Sequence, residues 1–131
     1  MPNQTASVIV CTYNAERQLD LVLSGLARQT EKPLEVLIAD DGSKETTKSL
    51  VSDWKTKIPG PLKHIWHEDQ GNQKAVIVNK TVVASAGSQL LFLDGDCIPH
   101  PKWVSDHLRA ANSVPEAVWC GRRCRLGPEV T

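Results

Sequence analysis

Three short apolar runs in this chain each end in a polar cluster, and that recurrence limits the fold more than any other feature. Val8 to Cys11 leads into Thr12-Tyr13-Asn14, Leu34 to Ala39 into Asp40-Asp41-Gly42-Ser43, and Leu90 to Leu93 into Asp94-Gly95-Asp96. Runs of this length, bounded by turn residues, read as strands rather than helices. Between them lie segments of helical period. From Ala15 to Gln29 the residues Leu19, Val22, Leu23 and Leu26 fall at i, i+3, i+4 and i+7, the stripe of an amphipathic helix.

The remaining elements follow from punctuation. Ser43 or a neighbour caps a second helix that runs to about Lys57 with Leu50, Val51 and Trp54 inward, until Ile58-Pro59-Gly60-Pro61 breaks it. A short strand over Lys63 to His67, a polar loop, a helix from Gln73 to Ala86 with Gly87 at its C-terminal cap, and the strand Gln89 to Asp94 come next. Pro101 to Asn112 reads as a helix and Ala117 to Arg125 as a final strand. Strands alternating with helices predict an α/β fold, a largely parallel sheet with helices on both faces. The polar clusters then share the carboxyl edge of the sheet, where open α/β sheets place their ligands.

Asp94-Gly95-Asp96 carries the sharpest chemical signal. Two carboxylates one residue apart repel and resist desolvation, so water, a hydrogen-bond network or a divalent cation must stabilise them. A polar surface turn would show the same residues. The apolar run before them, read as a strand buried on both faces, favours a ligand site.

Composition narrows the function classes. The 131 residues fit one domain, small for an enzyme with two substrates. Fifteen basic and fifteen acidic residues cancel and are interspersed, which argues against a nucleic-acid partner. No apolar run is long enough to cross a bilayer, and Met1 to Ser7 lacks the pattern of a signal peptide, so the expected place is the cytoplasm, with a peripheral position at the inner face of the membrane as the alternative. Cys11, Cys97, Cys120 and Cys124 lack the spacing of a zinc site and are expected as free thiols. His64, His67, His100 and His107 read as surface or satisfied histidines, and Trp54, Trp66, Trp103 and Trp119 as core anchors.

The strand-end motifs VIVCTYN, LEVLIADDGS and LLFLDGDCIP, in that order and at that spacing, resemble those of the inverting family-two glycosyltransferases, which have the Rossmann-like GT-A fold and use nucleotide-sugar donors. The segment EDQGNQKAVIVNKTV resembles the family's stretch between its second and third motifs, with Lys74 and Asn79 at the recurring basic and Asn positions. By this resemblance Tyr13 and the backbone near Cys11 and Thr12 hold the nucleobase, and Asp40 or Asp41 accepts from its imide or ribose. Lys74 lies near the donor phosphates or is simply solvated, Asp94 touches the ribose or sugar, and Asp96, with Asp94, binds the Mg²⁺ or Mn²⁺ that bridges the diphosphate. Such hard cations take carboxylate oxygens, which agrees with the motif's chemistry. The implied partners are a nucleoside-diphosphate sugar and a saccharide or lipid-linked acceptor.

One departure stands out: the family's general base, an Asp or Glu, has no matching motif here, and Glu129 lies in a Gly-Pro-bounded tail. The expectation is therefore a donor-binding half, residues 1–131, with the catalytic base unassigned and an uncovered edge near Trp119 to Leu126 that invites self-association. A dehalogenase-like phosphatase also uses Asp-x-Asp and Asp-Asp strand ends, but in the opposite order. A nucleotide-binding or scaffold module without transfer activity stays open.

Overall fold

The computed structural model describes residues 4–128. Four strands, β1 (Ala6–Thr12), β2 (Glu35–Asp40), β3 (Leu62–Trp66) and β4 (Gln89–Asp94), alternate with four helices, α1 (Glu16–Ala27), α2 (Glu45–Trp54), α3 (Lys74–Ala84) and α4 (Trp103–Ser113). All pairings are parallel, and the strands lie in the order β3-β2-β1-β4. The first two crossovers step outward from β1 and the third returns across it, so α1 and α2 occupy one face and α3 the other, as right-handed connections require.

The two faces have separate cores. Val8, Val10, Val36 and Ile38 pack with Leu19, Leu23 and Leu26 of α1, Val51 of α2, and Val104 and Leu108 of α4. Ile9, Leu37 and Ala39 meet Ile77 of α3 on the opposite side. The central strands β1 and β2 are covered on both faces. Their strict two-residue alternation thus feeds two cores at once, which is why they read as continuous apolar runs.

At the amino end of the sheet, buried Glu35 ties the layers together. Its carboxylate accepts from Ser7 Oγ at 2.6 Å, from the Ala86 N–H at 2.6 Å and from Lys63 Nζ at 2.7 Å. Burial pushes this carboxyl up, but the bonds from Lys63, Ser7 and Ala86 together outweigh it and hold the group below the usual glutamate range.

Several expectations are corrected. β4 is not buried on both faces: Leu91 and Leu93 point into the core, whereas Leu90 and Phe92 on the other face are exposed, Phe92 by 53%, because α3 covers β1 and β2 and stops short of the edge strand. Residues 117–125 form no strand among the described residues, so the sheet edges are β3 and β4, and no strand edge lies in the stretch from Trp119 to Leu126. Trp66 and Trp119 are exposed, while Trp54 and Trp103 do pack against the core. The N-cap of α2 is the neighbour Lys44, without a side-chain cap bond, rather than Ser43, whose N–H donates to Asp40 Oδ1 and whose Oγ accepts from the Asn14 N–H. Gly87 is not the cap of α3, which ends at Ala84; its N–H donates to Ser7 Oγ.

Candidate nucleotide and metal site

The carboxyl ends of β1 and β4 are neighbours although three helices separate them in sequence, and this reversal of strand order opens a crevice. The cleft there has a volume of about 490 Å³ and is lined by Cys11, Thr12 and Tyr13 from the end of β1, Asp41 after β2, and Lys74 at the start of α3. Asp94, Gly95 and Asp96 close it at the end of β4. Gly95 passes directly under the β1 end, and a Cβ at this position would collide with the Cys11 carbonyl oxygen. The glycine between the carboxylates is thus set by a close backbone approach. The two exit turns are pinned together as well: Asn14 Oδ1 accepts the Lys44 N–H at 2.9 Å, and the Asn14 N–H donates to Ser43 Oγ at 2.8 Å.

The neighbouring carboxylates at the end of β2 have different surroundings. Asp40 is fully buried, with one oxygen accepting the Ser43 N–H at 2.9 Å and the other 2.7 Å from His64 Nε2. Asp41 lines the cleft, its Oδ1 lying 2.6 Å from His67 Nε2 and its Oδ2 accepting the Gln73 N–H at 3.0 Å. Behind Asp41 the chain turns through Gly42 at φ +95°, where a Cβ would press on the Asp69 backbone. Asp69 in turn accepts from the Tyr13 hydroxyl at 2.6 Å. That bond raises the Tyr13 hydroxyl above its ordinary pKa and holds the Asp69 carboxyl below its own.

At the β4 end, ligand atoms of Asp94, Asp96 and Cys97 lie within 4.8 Å of one another, and both carboxylates are exposed. This set fits Mg²⁺ or Mn²⁺ through its carboxylate oxygens, since hard cations take oxygen. The Cys97 thiol, pushed up by burial and by its bond to Asp96, offers only soft sulfur. Burial likewise pushes up the Cys11 thiol, against a nucleophilic role. Lys74 Nζ is 3.5 Å from Asp94 Oδ1, an exposed contact of little energetic weight that leaves the ammonium available to the cleft. The buried Thr12 hydroxyl has no hydrogen-bond partner among the described residues, a vacancy unusual for a buried polar atom away from a ligand site.

Of the residues expected from sequence, Cys11, Thr12, Tyr13, Asp41, Lys74, Asp94 and Asp96 meet in this cleft, whereas Asp40 is not among its lining. Asn79 lies farther along α3, also outside that lining. Glu129 lies outside the described residues. Sequence reading missed Asp69, Asn72 and Arg123, which line the cleft, and His67, which backs Asp41. Polarity alone does not distinguish such loop residues from solvated ones; the only sequence signal was that His67 to Asn72 follows a strand at the ligand-binding edge. Cys11, Cys97, Cys120 and Cys124 form no disulfide with one another.

A family profile described as "Glycosyl transferase family 2" matches residues 7–130. The chain is 34% identical over 129 residues to a validoxylamine A glucosyltransferase of Streptomyces hygroscopicus subsp. limoneus, an alignment covering 92% of this chain and 28% of that protein. Among solved structures, S. aureus TarS 1-349 in complex with UDP superposes with a TM-score of 0.73 at 28% identity, over 83% of this chain and 32% of that one. A mannosyltransferase of Pyrobaculum calidifontis in complex with GDP-Man and Mn²⁺ gives a TM-score of 0.66 at 25% identity, over 81% and 34%. The chain thus spans about a third or less of the length of these proteins.

Proposed function

Since this chain belongs to glycosyl transferase family 2 and has the GT-A fold, we propose that it binds a nucleoside-diphosphate sugar across the carboxyl ends of β1, β2 and β4, for transfer of the sugar to a saccharide or lipid-linked acceptor. The observation that carries this reading is the convergence of three strand-end motifs, distant in sequence, on one cleft that holds an acidic pair at one end and an aromatic hydroxyl at the other.

In this reading Tyr13 and the backbone of Cys11 and Thr12 hold the nucleobase. Of the two β2 carboxylates it is Asp41 that accepts from the base or ribose, because Asp40 is buried and both its oxygens are engaged. Asp94 contacts the ribose or sugar, and Lys74 sits beside the diphosphate. Asp96, with Asp94, holds Mg²⁺ or Mn²⁺, which when bound neutralises the charge of the departing nucleoside diphosphate. Nucleotide and metal complexes of the structural relatives support the assignment. No carboxylate C-terminal to Asp96 lines the cleft among the described residues, so the chain's own groups serve donor binding, and the base that deprotonates an acceptor is unassigned. That observation favours a second reading, a nucleotide-binding module without transfer, which turnover with acceptor separates from the first. No helix among the described residues is long and apolar enough to cross a membrane.

A thermal-shift panel of nucleoside diphosphates with and without Mn²⁺ tests donor binding. A ligand of the native state at a hundred times its Kd adds about 2.7 kcal/mol of stability, so a bound diphosphate raises the melting temperature by several degrees. No stabilisation by any nucleotide, or a bound structure with the nucleotide away from Tyr13 and Asp41, would refute the assignment.

A further inference from the structure

The two aspartates that end β2 each have their own histidine, yet only one of these pairs reaches the cleft. His64 meets Asp40, which is sealed beneath the surface and serves the turn through the Ser43 N–H. His67 meets Asp41, whose side chain is 12% exposed and lines the cleft. His67 itself is 15% exposed and absent from the cleft lining, so it stands behind the carboxylate and would not touch the ligand. A carboxylate accepts hydrogen bonds only, so His67 Nε2 carries the proton in this contact, and the Gln73 N–H fixes the second oxygen. With one bond on each oxygen from a different segment, the carboxylate plane cannot rotate, and its remaining lone pairs keep one direction.

We propose that His67 is a positioning residue for nucleobase selection. By fixing Asp41 as an oriented, acceptor-only group aimed at the middle of the base edge, it favours a base whose ring nitrogen carries an N–H there, uracil or guanine, over cytosine or adenine, whose ring nitrogen is an acceptor and whose only donor on that edge is the displaced exocyclic amino group. Two facing acceptors leave both unsatisfied, and sites built on a buried hydrogen bond discriminate strongly against the partner that cannot make it. This inference rests on the reading of the cleft as a donor site with Asp41 at the base.

The test measures calorimetric affinities of the 131-residue chain for UDP, GDP, CDP and ADP in Mn²⁺, for the wild type and for His67→Leu, His67→Ser and His67→Gln. The wild type is expected to prefer UDP or GDP over CDP and ADP by at least tenfold. His67→Leu and His67→Ser are expected to compress that ratio severalfold, and His67→Gln, whose amide N–H can replace the bond to Asp41, to restore much of it. A merely structural histidine would lower all four affinities together and leave the ratio unchanged; that result overturns the inference and spares the donor-site reading. Wild-type protein that binds no nucleoside diphosphate overturns both. Leu and Ser are used together so that, if one variant fails to fold, the other still decides the ratio.

Discussion

Asp94 and Asp96 stand one glycine apart because the chain must pass beneath the Cys11 carbonyl while both carboxylates line the cleft. Both are exposed, so each interacts with its neighbour across solvent rather than within a core. Relieving that repulsion does not weaken the fold. Asp96→Ala is therefore expected to unfold within a degree or two of the wild type while losing at least tenfold in Mn²⁺-dependent donor affinity, read by calorimetry with and without chelator. A large drop in melting temperature instead would make Asp96 a structural residue. The same scale separates Asp40 from Asp41, chemically identical neighbours of which one closes a turn and the other faces the ligand cleft.

Among the elements, β2 does the most: it is covered on both faces and carries Glu35 at its start and the two aspartates at its end. Glu35 joins β1, β3 and the α3–β4 connection through Ser7, Lys63 and Ala86, none of them near it in sequence. Its folded pKa lies below the unfolded one, so its contribution is fully present above the ordinary glutamate value of roughly 4.3 and is lost as pH falls through the lower folded value. Glu35→Gln is expected to cost about 1.5–3 kcal/mol at neutral pH, since hydrogen bonds to a charged acceptor are replaced by weaker ones. The gap between variant and wild type should shrink below pH 4 in urea melts. A gap that stays constant with pH would mean that the loss is one of packing alone.

At the scale of the molecule, the sheet order puts polar groups from both halves of the chain into one crevice but leaves β4 as an open edge with Leu90 and Phe92 uncovered. On the proposed reading the described residues serve the donor and its metal, and among them no carboxylate C-terminal to Asp96 lines the cleft. The 131-residue chain is thus expected to bind a nucleotide sugar and to transfer it hardly at all. General-base assistance is typically worth roughly 10²–10⁴ in rate, so slow donor hydrolysis to water is the most that an assay of released nucleoside diphosphate should show. Robust transfer to a defined acceptor would reveal a base within these residues.

Sequence alone determined the alternation of elements, the parallel sheet and the gathering of Tyr13, the Asp40-Asp41 pair, Asp94 and Asp96 at one edge, because these rest on local periodicity, turn chemistry and recognisable motifs. It located β4 to the residue, Gln89 to Asp94, yet read it as buried on both faces, since an apolar run shows what a strand can bury and not whether a neighbour arrives to cover it. It could not choose between Asp40 and Asp41, which differ only in what stands behind them. That choice belongs to contacts between segments far apart in the chain: His64 and His67 arriving from β3 and its exit, and Asp69 packing on Gly42. Residues 117–125 look like a strand by composition, but a strand exists only where a partner edge meets it, and among the described residues none does.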